Sequence, residues 1–369
     1  MNNLNKNLSV LFVDNEEHLG GGQIIGLSVI KILSESEFMI GLLGPRSAKI
    51  VSESKRYVTR SNIHALDRLE LTSAEKSFKD VLIAFKHGVS NCLKIGQAFF
   101  KYDLIYINSI KLLPISLPIL FLLRKNFIVH VHLLYGDTVL RFIALGCRSS
   151  RCQAIVCCSE LVHSGVKKFV KDKKLITIRN SLNHDLSDVK FKNRFERPLK
   201  IGFIGDISFL KGADIVFKLA AEFPLLEFCL IGRETFEFDA NQGNVDVVNN
   251  STDVWSLVNA QNINVVIVPS RIPESFGLVA VESCAMSCIT IVSSAGYLNS
   301  IGQLCGLHVC PNEHMYSQTL ADLCEMDAVR LENRAKISWH KAQKHYSFEN
   351  FENKIRSSLL PLIRLSGSK

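Results

Sequence analysis

At 369 residues, 47% apolar and 21% charged, the chain is too long for a single core and too apolar for disorder, so two globular domains are expected. A net charge of +8, spread along the chain without an arginine-rich tail, argues against nucleic acid and leaves a phosphorylated substrate or an anionic membrane surface as partners. Eleven cysteines without a C-x-x-C pair fit unlinked thiols of the cytoplasm and exclude a zinc or disulfide framework.

In chain order, residues 9–14 (SVLFVD) read as an apolar, β-branched first strand. A turn at Gly20-Gly21-Gly22 and a helix near 23–34 follow. Residues 38–43 form a second strand, and 103–107, 127–132 and 154–158 form later ones, each followed by a helix-capable segment. The most lipid-like stretch, 112–123 (LLPISLPILFLL), is broken by Pro114 and Pro118 and is too short to span a bilayer, so it reads as a core helix. The N-terminus lacks the apolar core of a signal peptide, in keeping with the cytoplasm.

A polar, basic break at 189–198 reads as a linker, after which the alternation restarts. Strands are expected at 200–205, 227–232, 245–248, 263–268 and 290–293, with helices at 212–223 and 255–260 among them. Such alternation builds parallel sheets covered on both faces. The fold class is therefore α/β, with two doubly wound Rossmann-like domains facing a central cleft. Their expected bounds are 1–190 and 198–345, with a C-terminal helix in 346–369 packing back on the first domain.

The most informative segment follows the strand 263–268. Glu274 falls in a loop at the strand's carboxyl end, and Glu282 on the helix expected over 277–286. Ligands of open α/β sheets bind at that end, where a helix start offers free N–H groups to an anion. Carboxylates only accept hydrogen bonds, so two of them suit a ligand rich in hydroxyls. The plainer alternative is that Glu274 favours the helix dipole and Glu282 faces water.

Pro269-Ser270, then Glu274-Ser275-Phe276-Gly277-Leu278, then Glu282 with Ala285 resemble the signature of retaining, nucleotide-sugar-dependent glycosyltransferases of the group 1 (family 4) type. That family has the two-domain GT-B fold. Ser283 stands where its pattern carries alanine. Weaker echoes run along the chain in the right order: Gly20-Gly21-Gly22, His132, Ser159-Glu160, Asn180-Ser181-Leu182-Asn183 and Lys211-Gly212. Two departures stand out. Asp206 occupies the position after Gly205 where the family carries a phosphate-binding arginine, and residues 294–299 (SAGYLN) replace a double glycine with a further glutamate.

The resemblance implies that Glu274 contacts hydroxyls of the donor sugar and Glu282 the nucleotide ribose, while His132 approaches the sugar from the first domain. Lys211 is the candidate for neutralising the leaving diphosphate, helped by the helix start at Gly277-Leu278. Ser275, Phe276 and Gly205 belong to the same implied donor site. Arg233, after Gly232, is a conjectured replacement for the missing arginine. An unpaired Asp206 would repel phosphate, so it is expected to turn away or to pair with a cation such as Lys211. Gly21 and Gly22 would let backbone approach the diphosphate or acceptor. His130, two residues before His132, reads as structural.

No D-x-D pair occurs, so no metal or other cofactor is expected. The implied activity is transfer of a sugar from a UDP- or GDP-linked donor to a hydroxyl. The acceptor would be a lipid-linked or lipopolysaccharide precursor at the cytoplasmic face of the inner membrane. The rival readings are a GT-B sugar-nucleotide epimerase and a non-catalytic protein that binds nucleotide sugars or partners.

Overall fold

The computed structural model describes residues 8–66, 78–170, 174–182, 184–193, 195–235, 243–249 and 254–366. The chain divides into two compact units, Met1–Arg179 with Phe351–Lys369, and Asn180–Asn350.

The first unit is built on seven parallel strands. They are β1 (Ser9–Val13), β2 (Met39–Pro45), β3 (Ile63–Leu66), β4 (Leu104–Ile107), β5 (Asn126–Val131), β6 (Cys152–Cys157) and β7 (Leu175–Thr177), in the order β3-β2-β1-β4-β5-β6-β7. The second unit holds six: β8 (Lys200–Ile204), β9 (Glu227–Gly232), β10 (Val245–Asn249), β11 (Val265–Val268), β12 (Ile289–Ser293) and β13 (His308–Cys310), in the order β10-β9-β8-β11-β12-β13. Each sheet starts near its middle, runs to one edge, and then restarts on the other side of its first strand. The reversal lies between β1 and β4 in one unit and between β8 and β11 in the other. These are the points where neighbouring loops part and leave a crevice at the carboxyl ends of the strands.

Central strands such as β1, β4 and β5 are buried along their whole length, as continuous apolar runs in a two-sided parallel sheet must be. One core packs Leu11, Ile105, Val129 and Ile155 beneath Phe99 and Leu113; the other packs Ile201, Leu230, Ile267 and Ile291 beneath Val216 and Leu320. Each such side chain contributes about 1.5–3 kcal/mol by leaving water. The lipid-like stretch forms the helix Leu113–Leu122, with Leu113, Leu117 and Leu120 in the core. Among the described residues no helix is long and apolar enough to cross a membrane.

The segment expected to be a linker, 189–198, lies inside the second unit. Its two phenylalanines explain why: Phe195 is buried in the second core and Phe191 packs against it. At the other end, Phe351, Ile355, Leu359 and Ile363 are buried within the first unit. There the Asn126 side chain donates to the Ser366 carbonyl at 3.0 Å, and Arg356 donates to Ser36 at 2.8 Å.

Candidate active site

In the second unit the loops after β8 and β11 flank the reversal point. They are tied together by the Arg271 N–H, which donates to the Leu210 carbonyl at 2.9 Å. Gly212, φ +77°, closes the first loop and caps the helix Ala213–Glu222; a Cβ there would lie 2.2 Å from the Pro269 carbonyl oxygen. Only glycine allows so close an approach in the left-handed region. This contact is the physical content of the Lys211-Gly212 motif, because it sets Lys211 beside the loop that carries Glu274. Lys211 Nζ donates to Glu274 Oε1 at 2.6 Å, and both side chains are largely screened from water.

The Glu274 backbone is clasped by the segment that departs from the family pattern. Tyr297 N–H donates to the Glu274 carbonyl at 2.8 Å, and Glu274 N–H donates to the Ala295 carbonyl at 3.4 Å. Gly296, φ +64°, passes so near that a Cβ would sit 2.4 Å from the Glu274 carbonyl oxygen. The loss of a double glycine and a glutamate therefore leaves a working support for Glu274. Beyond it, Gly277 (φ +102°) caps the helix Leu278–Ala285, directing the free N–H groups of that helix start to the same end of the sheet. Ser275 and Leu278 are half-buried on this turn. Phe276 is not exposed to a ligand: it is buried, stacked on Tyr297 with ring centres 5.4 Å apart and edge-on to Tyr346 at 5.5 Å.

Glu282 does not face water. It is buried on the helix Leu278–Ala285, and burial pushes its carboxyl up to about 7. A carboxyl in that state gains its charge readily once hydroxyl donors reach it.

Asp206 pairs with Arg233 at 3.0 Å, not with Lys211. The residue conjectured to replace the missing arginine is thus already neutralised by the acid that displaced it, and both side chains are about half exposed. Gly205 and Gly232 sit at the base of these loops, so close that a Cβ on Gly232 would overlap the Gly205 carbonyl oxygen. Arg271, which sequence reasoning passed over, braces the site. It grips Asp214 with two hydrogen bonds of 2.5 and 2.8 Å, reaches Glu313 at 2.5 Å, and lies 4.1 Å above the Phe209 ring.

In the first unit, Gly21 opens the helix Gly21–Ser34 and Gly22 packs on His132, where a Cβ would come 3.2 Å from the imidazole Cγ. His132 follows β5 directly, and its Nε2 lies 2.7 Å from Asn108 Oδ1. Burial lowers the pKa of the imidazole to about 3, so the ring is neutral at physiological pH. His130 lies wholly inside the sheet, bonded through Nδ1 to the Tyr106 hydroxyl at 2.9 Å, as a structural histidine should be. Ser159 caps the helix Glu160–Lys167 by accepting from Val162 N–H at 3.2 Å, and Glu160 pairs with Arg179 at 2.7 Å, so this dipeptide is a helix start. Asn180 and Ser181 are buried, with Asn180 Oδ1 and Ser181 Oγ lacking hydrogen-bond partners among the described residues, and Asn183 lies outside those residues. Among the described residues no group of three or more His, Cys, Asp or Glu side chains is arranged to hold a metal ion.

Comparison with known proteins bears on the family and the fold. Residues 187–338 match the family described as glycosyl transferases group 1, a span that falls within the second unit and contains Lys211, Glu274 and Glu282. No curated protein is significantly similar in sequence. Among solved structures, HepE of Anabaena in complex with UDP and glucose is similar over 95% of this chain and 99% of its own, with 16% identity and a TM-score of 0.77. Sucrose-phosphate synthase of Thermosynechococcus elongatus is similar over 97% and 100%, at 15% identity and a TM-score of 0.71. The lipopolysaccharide outer core galactosyltransferase WaaB is similar over 95% and 100%, at 12% identity and a TM-score of 0.63. At these identities the likeness is one of fold, and the fold is GT-B.

Proposed function

We propose that this protein of GT-B fold, which matches the glycosyl transferases of group 1 over residues 187–338, is a glycosyltransferase that moves a sugar from a UDP- or GDP-linked donor to a hydroxyl acceptor with retention of configuration. The Lys211–Glu274 ion pair carries the reading. It joins two loops at the reversal point of the second sheet, beside a helix start, within the span that matches the family. In the resting protein the two charges satisfy each other. A bound donor supplies each with a new partner: phosphate oxygens for Lys211 and sugar hydroxyls for Glu274. Glu282 accepts from the ribose.

The acceptor oxygen attacks the anomeric carbon on the face from which the diphosphate departs. The bond from that carbon to phosphate oxygen breaks as the new glycosidic bond forms, and the acceptor proton passes to the leaving phosphate. Lys211 and the N–H groups at Gly277-Leu278 stabilise the charge that grows on that phosphate. No step calls for a metal ion. The role of His132 in the first unit is to meet the donor sugar as a neutral ring.

The acceptor is a lipid-linked or glycan precursor of a surface polysaccharide or lipopolysaccharide, met at the cytoplasmic membrane face. In support of a membrane acceptor, the helix Asp137–Cys147 exposes Val139, Phe142 and Leu145 at helical spacing, with Arg141 on it and Arg148 just beyond. Apolar side chains flanked by arginines suit an anionic lipid surface. A thermal-shift panel of UDP, GDP, ADP and CMP tests the donor assignment: UDP or GDP should raise the melting temperature, and no shift with either contradicts the reading. Turnover of nucleotide sugar without an acceptor would point to an epimerase instead.

A further inference from the structure

We propose that Asp14 and Asn108 are a positioning pair that fixes His132 in a single tautomer, with the proton on Nε2 and Nδ1 left as a bare acceptor. The three residues come from the ends of three neighbouring strands, β1, β4 and β5, at the reversal point of the first sheet. Asp14 and Asn108 are almost wholly buried.

The polarity of the chain of hydrogen bonds follows from the backbone groups in it that cannot be reversed, the N–H of Glu16 and of Gly20 and the carbonyl of Gly22. Glu16 contributes a backbone N–H, which can only donate, to Asp14 Oδ1 at 2.8 Å. Gln23 Nε2 lies 3.2 Å from Asp14 Oδ2, and Asn108 Nδ2 lies 2.6 Å from the same oxygen. Burial raises the Asp14 carboxyl above its ordinary range, and the bonds from Asn108, the Glu16 N–H and Gln23 pull it back down; as a carboxylate it accepts from all three. Asn108 must then present its amide nitrogen to Asp14, and the same nitrogen reaches the Gly22 carbonyl at 3.3 Å. That leaves Asn108 Oδ1 facing His132 Nε2 at 2.7 Å. An amide oxygen only accepts, so Nε2 carries the proton. Among the described residues, buried His132 Nδ1 has no hydrogen-bond partner. In this tautomer it is a lone pair; in the other it would be an unpaired buried N–H opposite a second unpaired acceptor pair at Nε2 and Oδ1.

The network also reaches the glycine loop. Asn108 holds the Gly22 carbonyl, Gln23 opens the helix beside it, and Gly22 lies against the His132 ring. Asp14 thereby sets the loop and the ring from one buried point. The consequence for turnover rests on the proposed sugar transfer, whereas the tautomer does not.

Imidazole nitrogen NMR on the full-length protein reads the tautomer, with the His132 signals assigned by their loss in His132→Gln. The parent should show a protonated Nε2 and an unprotonated Nδ1 throughout about pH 5–8, the range in which free histidine titrates. In Asp14→Asn, the Glu16 N–H keeps the amide oxygen of residue 14, so its nitrogen turns to Asn108. Asn108 then turns its oxygen to that nitrogen, giving up the longer 3.3 Å bond to the Gly22 carbonyl for the 2.6 Å contact with residue 14, and the proton of His132 moves to Nδ1. The double substitution Asp14→Asn with Asn108→Asp restores an acceptor beside Nε2 and should return the proton there. Asn108→Asp alone should keep Nε2 protonated, because a carboxylate at that position only accepts; the tautomer change in Asp14→Asn and its reversal in the double variant are the readouts that a purely structural role would leave unmoved.

Donor kcat/KM should fall at least about tenfold in Asp14→Asn, the direction seen when a catalytic histidine is left in the wrong tautomer, and recover in the double variant. A proton on Nδ1 in the parent, or an unchanged tautomer in Asp14→Asn, overturns the inference even if transfer is normal. Absence of transfer in the parent overturns the proposed function and leaves the tautomer to stand.

Discussion

Burial moves the Glu282 carboxyl from its ordinary 4.5 to about 7, and this has a measurable sign. Between those values the folded protein holds a proton that the unfolded chain has released. Stability therefore falls as pH rises through the window and levels off above it, by about 3 kcal/mol in all. Glu282→Gln removes the ionisation. Calorimetry from pH 4.5 to 8 should find the variant gaining on the parent up to about pH 7, whereas a gap independent of pH would contradict the assignment. Lys211→Ala tests the other half of the site: loss of one preorganised charge at the leaving group should lower kcat by about a hundredfold or more. An unchanged kcat would remove Lys211 from the chemistry. Glu274 and Glu282 could be placed from the sequence because their spacing puts one in the loop after a strand and the other on the helix that follows, and Lys211 through its resemblance to a family motif. Asp14 and Asn108 were not, since they stand 94 residues apart and meet only because β4 settles next to β1. Phe276 was read as part of the donor site, yet its ring serves the core.

Among elements, the loops that carry the site are shaped by glycines under real constraint. Gly212→Ala places a methyl against the Pro269 carbonyl in a left-handed conformation. It should destabilise the second unit by more than about 1 kcal/mol and depress activity, because the Lys211 loop must move. Gly96, inside the helix Phe78–Lys101, has open space where a Cβ would go. Gly96→Ala should raise stability by about 0.5–1 kcal/mol with activity unchanged. Thermal denaturation and steady-state kinetics check both, and similar effects at the two positions would refute the distinction. The long central strands could be read from their continuous apolar, β-branched runs, and the helix after β11 from the proline-broken turn that precedes it. The edge strands β3 and β7, four and three residues long, were missed because so short a run carries no period and edge positions are only partly apolar.

For the whole chain, the C-terminal segment belongs to the first unit although it follows the second in sequence. Phe351, Ile355, Leu359 and Ile363 fill that unit's core. Their amphipathic spacing was visible in the sequence, and packing on the first domain was expected of them. Truncation after Asn350 should lower the melting temperature of the first unit and open it to proteolysis while leaving the second unit's transition near its original temperature. Loss of both transitions together would contradict that division. Two doubly wound units could be inferred from strand–helix alternation, since that pattern follows from how parallel sheets are covered. The break between the units could not, because 189–198 is polar overall and is held in the second unit by Phe191 and Phe195.

The central claim is sugar transfer that depends on Lys211, and one measurement addresses it directly. Purified protein and its Lys211→Ala variant are each incubated with labelled UDP- and GDP-sugars and a membrane lipid extract, and the label is followed into the acceptor fraction. The account predicts that one donor labels an acceptor, that the product keeps the donor's anomeric configuration, and that the variant transfers at least about a hundredfold more slowly. No transfer from any donor, or equal transfer by the variant, would contradict it.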